Sequence, residues 1–167
     1  RHIGKNATSV IMSTGMASME EIQNAISILL EEGIKRNNLS LLHCTSEYPA
    51  PMDELNLNVI TMFKNHFGLS VGYSDHTIGI EVPIAAVALG ASVIEKHFTL
   101  DKRLPGPDHK ASIEQKDLAT LVKAIKNIEV ALGVPDKNPS SSELKNLPIV
   151  RQYIVEKNNI KKGDILN

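Results

Sequence analysis

The spacing of apolar residues changes repeatedly along the chain between two patterns, and this change predicts four strand–helix repeats. Short apolar runs that end in polar residues are typical of strands, whereas apolar residues three and four positions apart are typical of helices. The predicted strands are residues 9–13, 39–44, 71–77 and 91–99, and the predicted helices begin at residues 18, 55, 80 and 112. Such a repeat calls for a parallel sheet with right-handed crossovers, so the predicted fold class is α/β.

Local signals place the helix ends. Ser18 precedes Glu21 by three positions, and Ser112 precedes Gln115 by the same spacing, which is the pattern of a capping box. A glycine follows each predicted helix, at positions 33, 68, 90 and 133. Four strand–helix units are half of a (β/α)8 TIM-type barrel, and an open four-stranded α/β sheet is the competing architecture. Composition and periodicity do not choose between the two.

The composition changes after the last predicted helix. Residues 134–148 contain three prolines and a run of three serines, which predicts an interdomain linker. Residues 149–167 return to a β-like pattern. We therefore expect a first domain at 1–133, a linker at 134–148 and the beginning of a further domain at 149–167. The chain opens on what reads as the tail of a helix, so we also expect a piece of a longer protein.

Two histidines stand at the carboxyl ends of neighbouring predicted strands. Strand alternation places His76 on the same face as Ser74, and it places His97 on the same face as Glu95. The carboxyl ends of parallel strands are where α/β enzymes hold their chemistry. A lone histidine is more often a core or loop residue, but two with matching placement favour a site for a divalent metal ion.

Composition and charge exclude several classes of protein. At 167 residues the chain is long enough to bury a core, and its net charge of −1 gives no reason to expect binding to nucleic acid or to an anionic membrane. No apolar run approaches the length of a membrane span. The single cysteine, Cys44, excludes an internal disulfide bond and fits a cytoplasmic location.

Five phrases of the sequence carry a resemblance to a known family. They are Ile11-Met-Ser-Thr-Gly-Met16, His43-Cys-Thr-Ser-Glu-Tyr-Pro-Ala-Pro51, Val71-Gly-Tyr-Ser-Asp-His-Thr77, Ile94-Glu-Lys-His-Phe-Thr-Leu100 and Pro105-Gly-Pro-Asp-His-Lys-Ala-Ser112. In order and spacing they resemble the sialic acid synthase family. The resemblance implies strands five to eight of that family's TIM-type barrel, the linker, and the beginning of its small antifreeze-like (SAF) β domain.

The resemblance also implies a reaction and its partners. Phosphoenolpyruvate would condense with N-acetylmannosamine and water to give N-acetylneuraminate and phosphate. A divalent ion, Mn²⁺ or else Mg²⁺ or Co²⁺, would bind His76 and His97, and the parent protein would be a homodimer. One alternative is a synthase of N,N'-diacetyllegionaminate that acts on a 2,4-diacetamido sugar. Another is a truncated half-barrel without activity.

The same resemblance assigns roles to residues that contact the substrates. Ser13 and Ser74 would contact the phosphate of phosphoenolpyruvate, although a serine after a strand often only caps a turn. The basic residues expected for this phosphate lie in the other half of the family's barrel. Ser46 and Tyr48 align with the loop that contacts the sugar, where Tyr48 could instead pack against neighbouring prolines.

Two carboxylates are candidates for proton transfer. Asp108 aligns with a family carboxylate near the sugar hydroxyls, and the alternative is a surface aspartate without a role. Glu95 shares the face of His97 and would orient a metal-bound water, or it would be a core carboxylate paired with a lysine.

Four other residues of reactive types are expected to have no catalytic role, or none that can be named. His43 is predicted to point toward the helices because it has the opposite strand parity to Cys44. His66 lies at a helix end, where a cation suits the dipole. His109 belongs to a matched phrase but receives no step. Cys44 is expected to be a small buried residue rather than a nucleophile.

Overall fold

Four parallel strands form one sheet in the order β1-β2-β3-β4, in a computed structural model that describes residues 1–153 and 161–162. The strands are β1 (Val10–Ser13), β2 (Leu39–Cys44), β3 (Ser70–Asp75) and β4 (Ile94–Lys96). The helices are α1 (His2–Asn6), α2 (Met19–Glu31), α3 (Asn58–Phe67), α4 (Glu81–Ala88), α5 (Gln115–Leu132) and α6 (Ser141–Val150). The α/β repeat is therefore confirmed, as the four strands of a half-barrel.

The core lies between the sheet and the helices that follow its strands. Alternate residues of β2 and β3, such as Leu41 and Tyr73, are fully buried against the apolar sides of α2 and α3. The capping box at Ser18 is present and opens α2, as predicted. Gly68 ends α3 in a left-handed conformation with φ of 60°. A residue with a Cβ would be sterically strained in this conformation.

The strands that carry the two histidines are shorter than predicted. β3 ends at Asp75 and β4 at Lys96, so His76 and His97 each lie one residue beyond their strand. The loops take over the backbone hydrogen bonds there, because the His76 carbonyl accepts from Ala50 and the His97 carbonyl accepts from Ile113. The two strand ends nevertheless leave both histidines at the same edge of the sheet.

The predicted capping box at Ser112 is wrong. The Ser112 hydroxyl donates instead to the carbonyl of Asp108, at 2.8 Å. Ile113 remains extended because it forms a parallel bridge with Phe98, and α5 begins only at Gln115. The Glu114 side chain does not cap α5.

The chain divides into two compact units, Arg1–Gly133 and Val134–Asn167, which are described separately. The linker prediction for residues 134–148 named no helix, but the structure has one from residue 141 onward. Ser140 and Glu143 form a capping box that opens α6, so the serine run begins a helix. Ile149 and Val150 end that helix, and the β-like pattern expected at residues 154–160 and 163–167 lies outside the described residues.

Two expectations about isolated histidines agree with the structure. His43 points toward the helices: its Nε2 donates to the Leu55 carbonyl at 2.7 Å, and its ring meets the edge of Phe63 in α3. His66 lies in the last turn of α3.

Within the described part of the chain, no helix is both long and apolar enough to cross a membrane.

Gly72 in β3 has no room for a side chain, which yields a first prediction. A Cβ there would overlap the Val93 carbonyl oxygen and lie 2.6 Å from Leu42 Cδ2. We expect Gly72→Ala to lower the free energy of unfolding by about 1–3 kcal/mol or more, because backbone cannot yield as a flexible side chain can. Ser70→Ala on the same strand is the control: it removes only an exposed hydrogen bond to the Ser92 hydroxyl and should change the free energy of unfolding by about 1 kcal/mol or less in urea titrations. Equal losses of unfolding free energy in Gly72→Ala and Ser70→Ala would contradict the close packing around Gly72.

His43 yields a second prediction, on pH. Burial lowers the pKa of His43, against a smaller opposing effect of its bond to the Leu55 carbonyl. The unfolded chain therefore binds a proton more readily, and stability falls as the pH falls below about 6.5, the ordinary histidine pKa. We expect His43→Gln, which cannot titrate, to show a shallower loss of unfolding free energy between about pH 7 and pH 5. His66→Gln is the matched control, and an unchanged slope in His43→Gln would contradict the assignment.

Candidate functional site

His76 and His97 come together at the carboxyl edge of β3 and β4. Their ring centroids are 5.9 Å apart, and the planes are tilted by 58°. The parallel register brings this about, because Asp75 pairs with Lys96 and each histidine is the next residue in its own chain segment. The pairing predicted from strand alternation is therefore present in the structure.

The His76 ring is held in one orientation by a backbone carbonyl. Its Nδ1 lies 2.6 Å from the Thr45 carbonyl oxygen, which can only accept a hydrogen bond, so Nδ1 carries a proton. When the ring is neutral, Nε2 then has the free lone pair. A histidine that binds a metal through one nitrogen commonly donates from the other to a carbonyl in this way. Thr45 was missed in the sequence because any residue supplies a carbonyl there.

Tyr48 lies against both imidazoles. Its ring stacks on His76 with centroids 4.0 Å apart and lies 4.7 Å from the centroid of His97. The hydroxyl is 2.7 Å from His76 Nε2, to which it donates. Partial burial, followed by the nearby carboxylate of Asp108, raises the pKa of Tyr48, so the phenol keeps its proton at neutral pH. The predicted sugar-loop tyrosine is thus part of the histidine site.

Ser74 and Glu95 are partners across the two strands. They face each other in the β3–β4 register, and the Ser74 hydroxyl donates to Glu95 Oε1 at 2.6 Å. The same hydroxyl lies 3.2 Å from His76 Nε2, but its single proton is given to the closer carboxylate. The lysine between these strands, Lys96, pairs with Asp75 and not with Glu95. Among the described residues no lysine pairs with Glu95, so the alternative of a Glu95–lysine core pair is not found there.

Asp108 reaches the site from the loop after β4. Its Oδ2 lies 4.0 Å from His97 Nδ1, and both side chains are partly exposed. A cavity of about 410 Å³ lies beside them, lined also by Phe98 and Pro107. A small polar molecule in this cavity would meet a carboxylate and an imidazole on the same side.

Hydrogen bonds inside the loop hold Asp108 where it is. The Asp108 carbonyl accepts from the backbone N–H groups of Ala111 and Ser112 and from the Ser112 hydroxyl. His109 Nδ1 lies 2.8 Å from the hydroxyl of the buried Thr99 and thereby ties the loop to the end of β4. His109, for which the sequence indicated no step, therefore holds the loop in place. Ser112 was predicted to cap a helix because Gln115 follows it by three positions, the spacing of a capping box.

Two predicted substrate residues lie toward the other edge of the sheet. Ser13 is exposed at the end of β1 and borders a separate cavity of about 370 Å³. Ser46 is exposed in the loop after β2, where a side chain on Gly15 would overlap its hydroxyl. Among the contacts of the described residues, none joins Ser13 or Ser46 to the two imidazoles. The structure therefore gathers six of the eight predicted residues and leaves these two beside β1.

Cys44 has the properties expected of a structural thiol. It is partly buried at the end of β2, and this burial raises its pKa despite backbone donors at Thr14 and Gly15. A thiol that keeps its proton is a poor nucleophile. The prediction that Cys44 is not a catalytic nucleophile is consistent with this environment.

The donors available to a metal ion are two imidazoles. No group of three or more histidine, cysteine, aspartate or glutamate side chains is arranged to bind a metal within residues 1–153 and 161–162. His76 offers Nε2 as the nitrogen with a lone pair, and the His97 ring lies beside it, with the Tyr48 ring against both. Such a pair leaves most coordination positions for other ligands, which is the arrangement of a catalytic rather than a structural metal.

Comparison with known proteins gives the family. The NeuB family matches residues 1–137. The chain is 53% identical over its whole length to the N,N'-diacetyllegionaminic acid synthase of Campylobacter jejuni and covers 50% of that protein. It is 38% identical over 97% of its length to the human N-acetylneuraminate-9-phosphate synthase, of which it covers 45%. The chain thus spans about half the length of the curated relatives it matches.

A solved structure agrees with the same assignment. The N-acetylneuraminic acid synthetase of Leptospira borgpetersenii, crystallised with citrate, superposes with a TM-score of 0.76 and is 41% identical. The match covers 84% of this chain and 48% of that one. The family that the five sequence phrases resemble is therefore the correct one. The chain belongs to the NeuB family of sugar-acid synthases.

Proposed function

We propose that the four strands are strands five to eight of an eight-stranded synthase barrel and that residues 149–167 begin a small antifreeze-like (SAF) β domain. Relatives about twice as long as the chain support this proposal, since the described strands account for half of such a barrel. The site lies at the carboxyl edge of the sheet, where barrels of this kind hold their active sites.

The reaction proposed for the full-length protein is the condensation of phosphoenolpyruvate with an N-acetylated amino sugar. The enol carbon would attack the sugar aldehyde, water would add to the former enol C2, and phosphate would leave, giving a 2-keto sugar acid. The observation that carries this proposal is the convergence of His76, His97, Tyr48 and Asp108 at one edge, in a chain of a synthase family.

A divalent metal, Mn²⁺ or else Mg²⁺ or Co²⁺, is the cofactor that we propose for His76 and His97. The bond from His76 Nδ1 to the Thr45 carbonyl fits this role, because it leaves Nε2 as the nitrogen able to bind. Mn²⁺ ordinarily prefers oxygen ligands, which water and substrate would supply at a site with two imidazoles. When bound, such an ion would polarise the sugar aldehyde and orient it as a Lewis acid.

The remaining side chains have roles that follow from their contacts. Tyr48 keeps its proton and donates a hydrogen bond to His76 Nε2. If that nitrogen bound a metal ion instead, the Tyr48 hydroxyl would be free to donate to the sugar. Ser74 can donate to a phosphate oxygen only by leaving Glu95, its present acceptor. Ser13 would complete the phosphate contact, and Ser46 the sugar contact, from the side of β1.

Proton transfers are needed at two oxygens, and two carboxylates are available for them. The former aldehyde oxygen must gain a proton. The water that adds to C2 must lose one proton as it adds and the other as phosphate leaves, since its oxygen becomes the keto oxygen. Asp108 is partly exposed beside His97 and a cavity. This position suits contact with the sugar and proton transfer to the oxygen of the sugar's former aldehyde. Glu95 lies next to Ser74, near the proposed phosphate contact, which suits a base for the attacking water.

Two sugars are candidates for the acceptor. The relative named N,N'-diacetyllegionaminic acid synthase, at 53% identity, supports a 2,4-diacetamido sugar. The solved structure named N-acetylneuraminic acid synthetase, at 41% identity, supports N-acetylmannosamine, with N-acetylneuraminate as the product. The loop from Ser46 to Tyr48 is where we expect the two specificities to differ. By resemblance to the family, we also propose a cytoplasmic homodimer.

Release of inorganic phosphate tests the proposed reaction. The full-length protein would be incubated with Mn²⁺ and phosphoenolpyruvate, and each sugar would be offered in parallel. We expect release that requires one of the sugars, and we expect His76→Ala and His97→Ala each to reduce it by more than about 100-fold, as loss of a metal ligand should. His66→Ala, at an exposed position of α3, is the matched control and should keep full activity.

The outcomes separate the alternatives. Release only with the diacetamido sugar would assign the legionaminate branch, and release only with N-acetylmannosamine would assign the neuraminate branch. Sugar-dependent release that survives both histidine substitutions would contradict the role of this site. No release with either sugar would contradict the proposed reaction and favour a protein without this activity.

A further inference from the structure

A buried ion pair joins β3 to β4 directly beside the two histidines. Lys96 Nζ lies 2.5 Å from Asp75 Oδ2, and the two side chains are only 5% and 0% exposed. Because neighbouring residues of a strand point to opposite faces, the pair lies on the helix side of the sheet, and Ser74 and Glu95 lie on the other. The pair is therefore outside the site that the proposed reaction uses.

The polar atoms of this pair are satisfied by one further residue. Asp75 Oδ1 accepts from the backbone N–H of Thr77 at 3.0 Å and from its hydroxyl at 2.8 Å. Lys96 Nζ also donates to the Thr77 carbonyl, at 2.6 Å. Asp75 and Thr77 are the residues on either side of His76, so the network encloses the backbone of that histidine.

Stability alone does not account for the pair. Removing two charges from water is costly, and apolar residues of similar volume are often as stabilising as a buried ion pair. Thr77 is itself fully buried, as are the two side chains of the pair apart from 5% of Lys96. A geometric role gives a reason for charged residues at this position.

That role follows from where the strand ladder ends. β4 has only three residues, and Asp75–Lys96 is the last pair in its register with β3. Beyond it, the His76 and His97 carbonyls accept from Ala50 and Ile113, so neither of these bonds joins one histidine segment to the other. Among the described residues, the polar links between β4 and the segment around His76 beyond the last ladder pair are therefore those made by Lys96 Nζ, to Asp75 and to the Thr77 carbonyl.

We propose that the Asp75–Lys96 pair fixes the separation of His76 and His97, so that both imidazoles can bind one metal ion. The two residues are positioning residues, since they touch neither imidazole. This inference rests on the metal site of the proposed function. In this proposal, Asp75 and Lys96 influence the metal affinity of the two histidines from the opposite face of the sheet.

Metal affinity tests the inference without an activity assay. Mn²⁺ binding to the full-length protein would be measured from the electron paramagnetic resonance signal of free Mn²⁺, and thermal unfolding would be followed without metal. We expect Lys96→Met to weaken Mn²⁺ binding by tenfold or more, the effect commonly seen when residues behind metal ligands are replaced.

A second variant covers the case in which Lys96→Met does not fold, since that substitution leaves Asp75 charged and unpaired. The double variant Asp75→Asn with Lys96→Met contains no buried charge and keeps an oxygen that can accept from Thr77. We expect it to fold with a melting temperature close to that of the unmodified protein and to bind Mn²⁺ at least tenfold more weakly. A purely structural pair would change the melting temperature and not the affinity.

Lys102→Met is the matched control. Lys102 pairs with Asp117 at 3.6 Å in a partly exposed ion pair and, among the described contacts, touches neither histidine, so its loss should leave Mn²⁺ affinity within twofold. A folded double variant that loses less than tenfold in affinity, while the unmodified protein binds Mn²⁺, would overturn the inference and leave the metal site standing. An unmodified protein that does not bind Mn²⁺ would overturn both.

Discussion

The parallel register of β3 against β4 is the constraint on which the site depends. It brings the ends of two strands to one edge of the sheet, with Asp75 opposite Lys96, and so delivers His76 and His97 to the same place. A shift of one residue would turn one imidazole toward the helices, because side chains alternate along a strand. Gly72 supports the register, since its missing side chain leaves space for Val93 and Leu42.

Loops then give each group its chemical character. The Thr45 carbonyl fixes the proton on His76 Nδ1, and the Tyr48 hydroxyl, whose pKa is raised, uses the remaining lone pair. Asp108 is held by bonds to its own backbone from the residues that precede α5. A rigid sheet edge with adjustable loops is a common arrangement in α/β enzymes, because strands set distances and loops set contacts. Here the sheet brings the imidazoles together and the loops supply their partners.

Sequence patterns predicted the features that depend on periodicity. Alternation along two strands was sufficient to pair His76 with His97, and helical spacing was sufficient to predict the helices that follow the first three strands. The end of each strand could not be predicted, because it depends on which loop residue reaches the backbone of the histidines. The role of Ser112 was missed because its hydroxyl could either accept from the Gln115 N–H, three positions later, or donate to the Asp108 carbonyl, four positions earlier, and the sequence favours neither. The helix at 141–150 was missed because serine and proline are frequent both in linkers and at helix starts.

The central claim is that His76 and His97 bind one metal ion, and it can be measured on the metal itself. Electron spin-echo spectroscopy of the full-length protein with one equivalent of Mn²⁺ detects nitrogen atoms bound directly to the ion. The account predicts coupling to two imidazole nitrogens, of which one is lost in His76→Ala and the other in His97→Ala. Bound Mn²⁺ without nitrogen coupling, or with coupling that both variants retain, would contradict it.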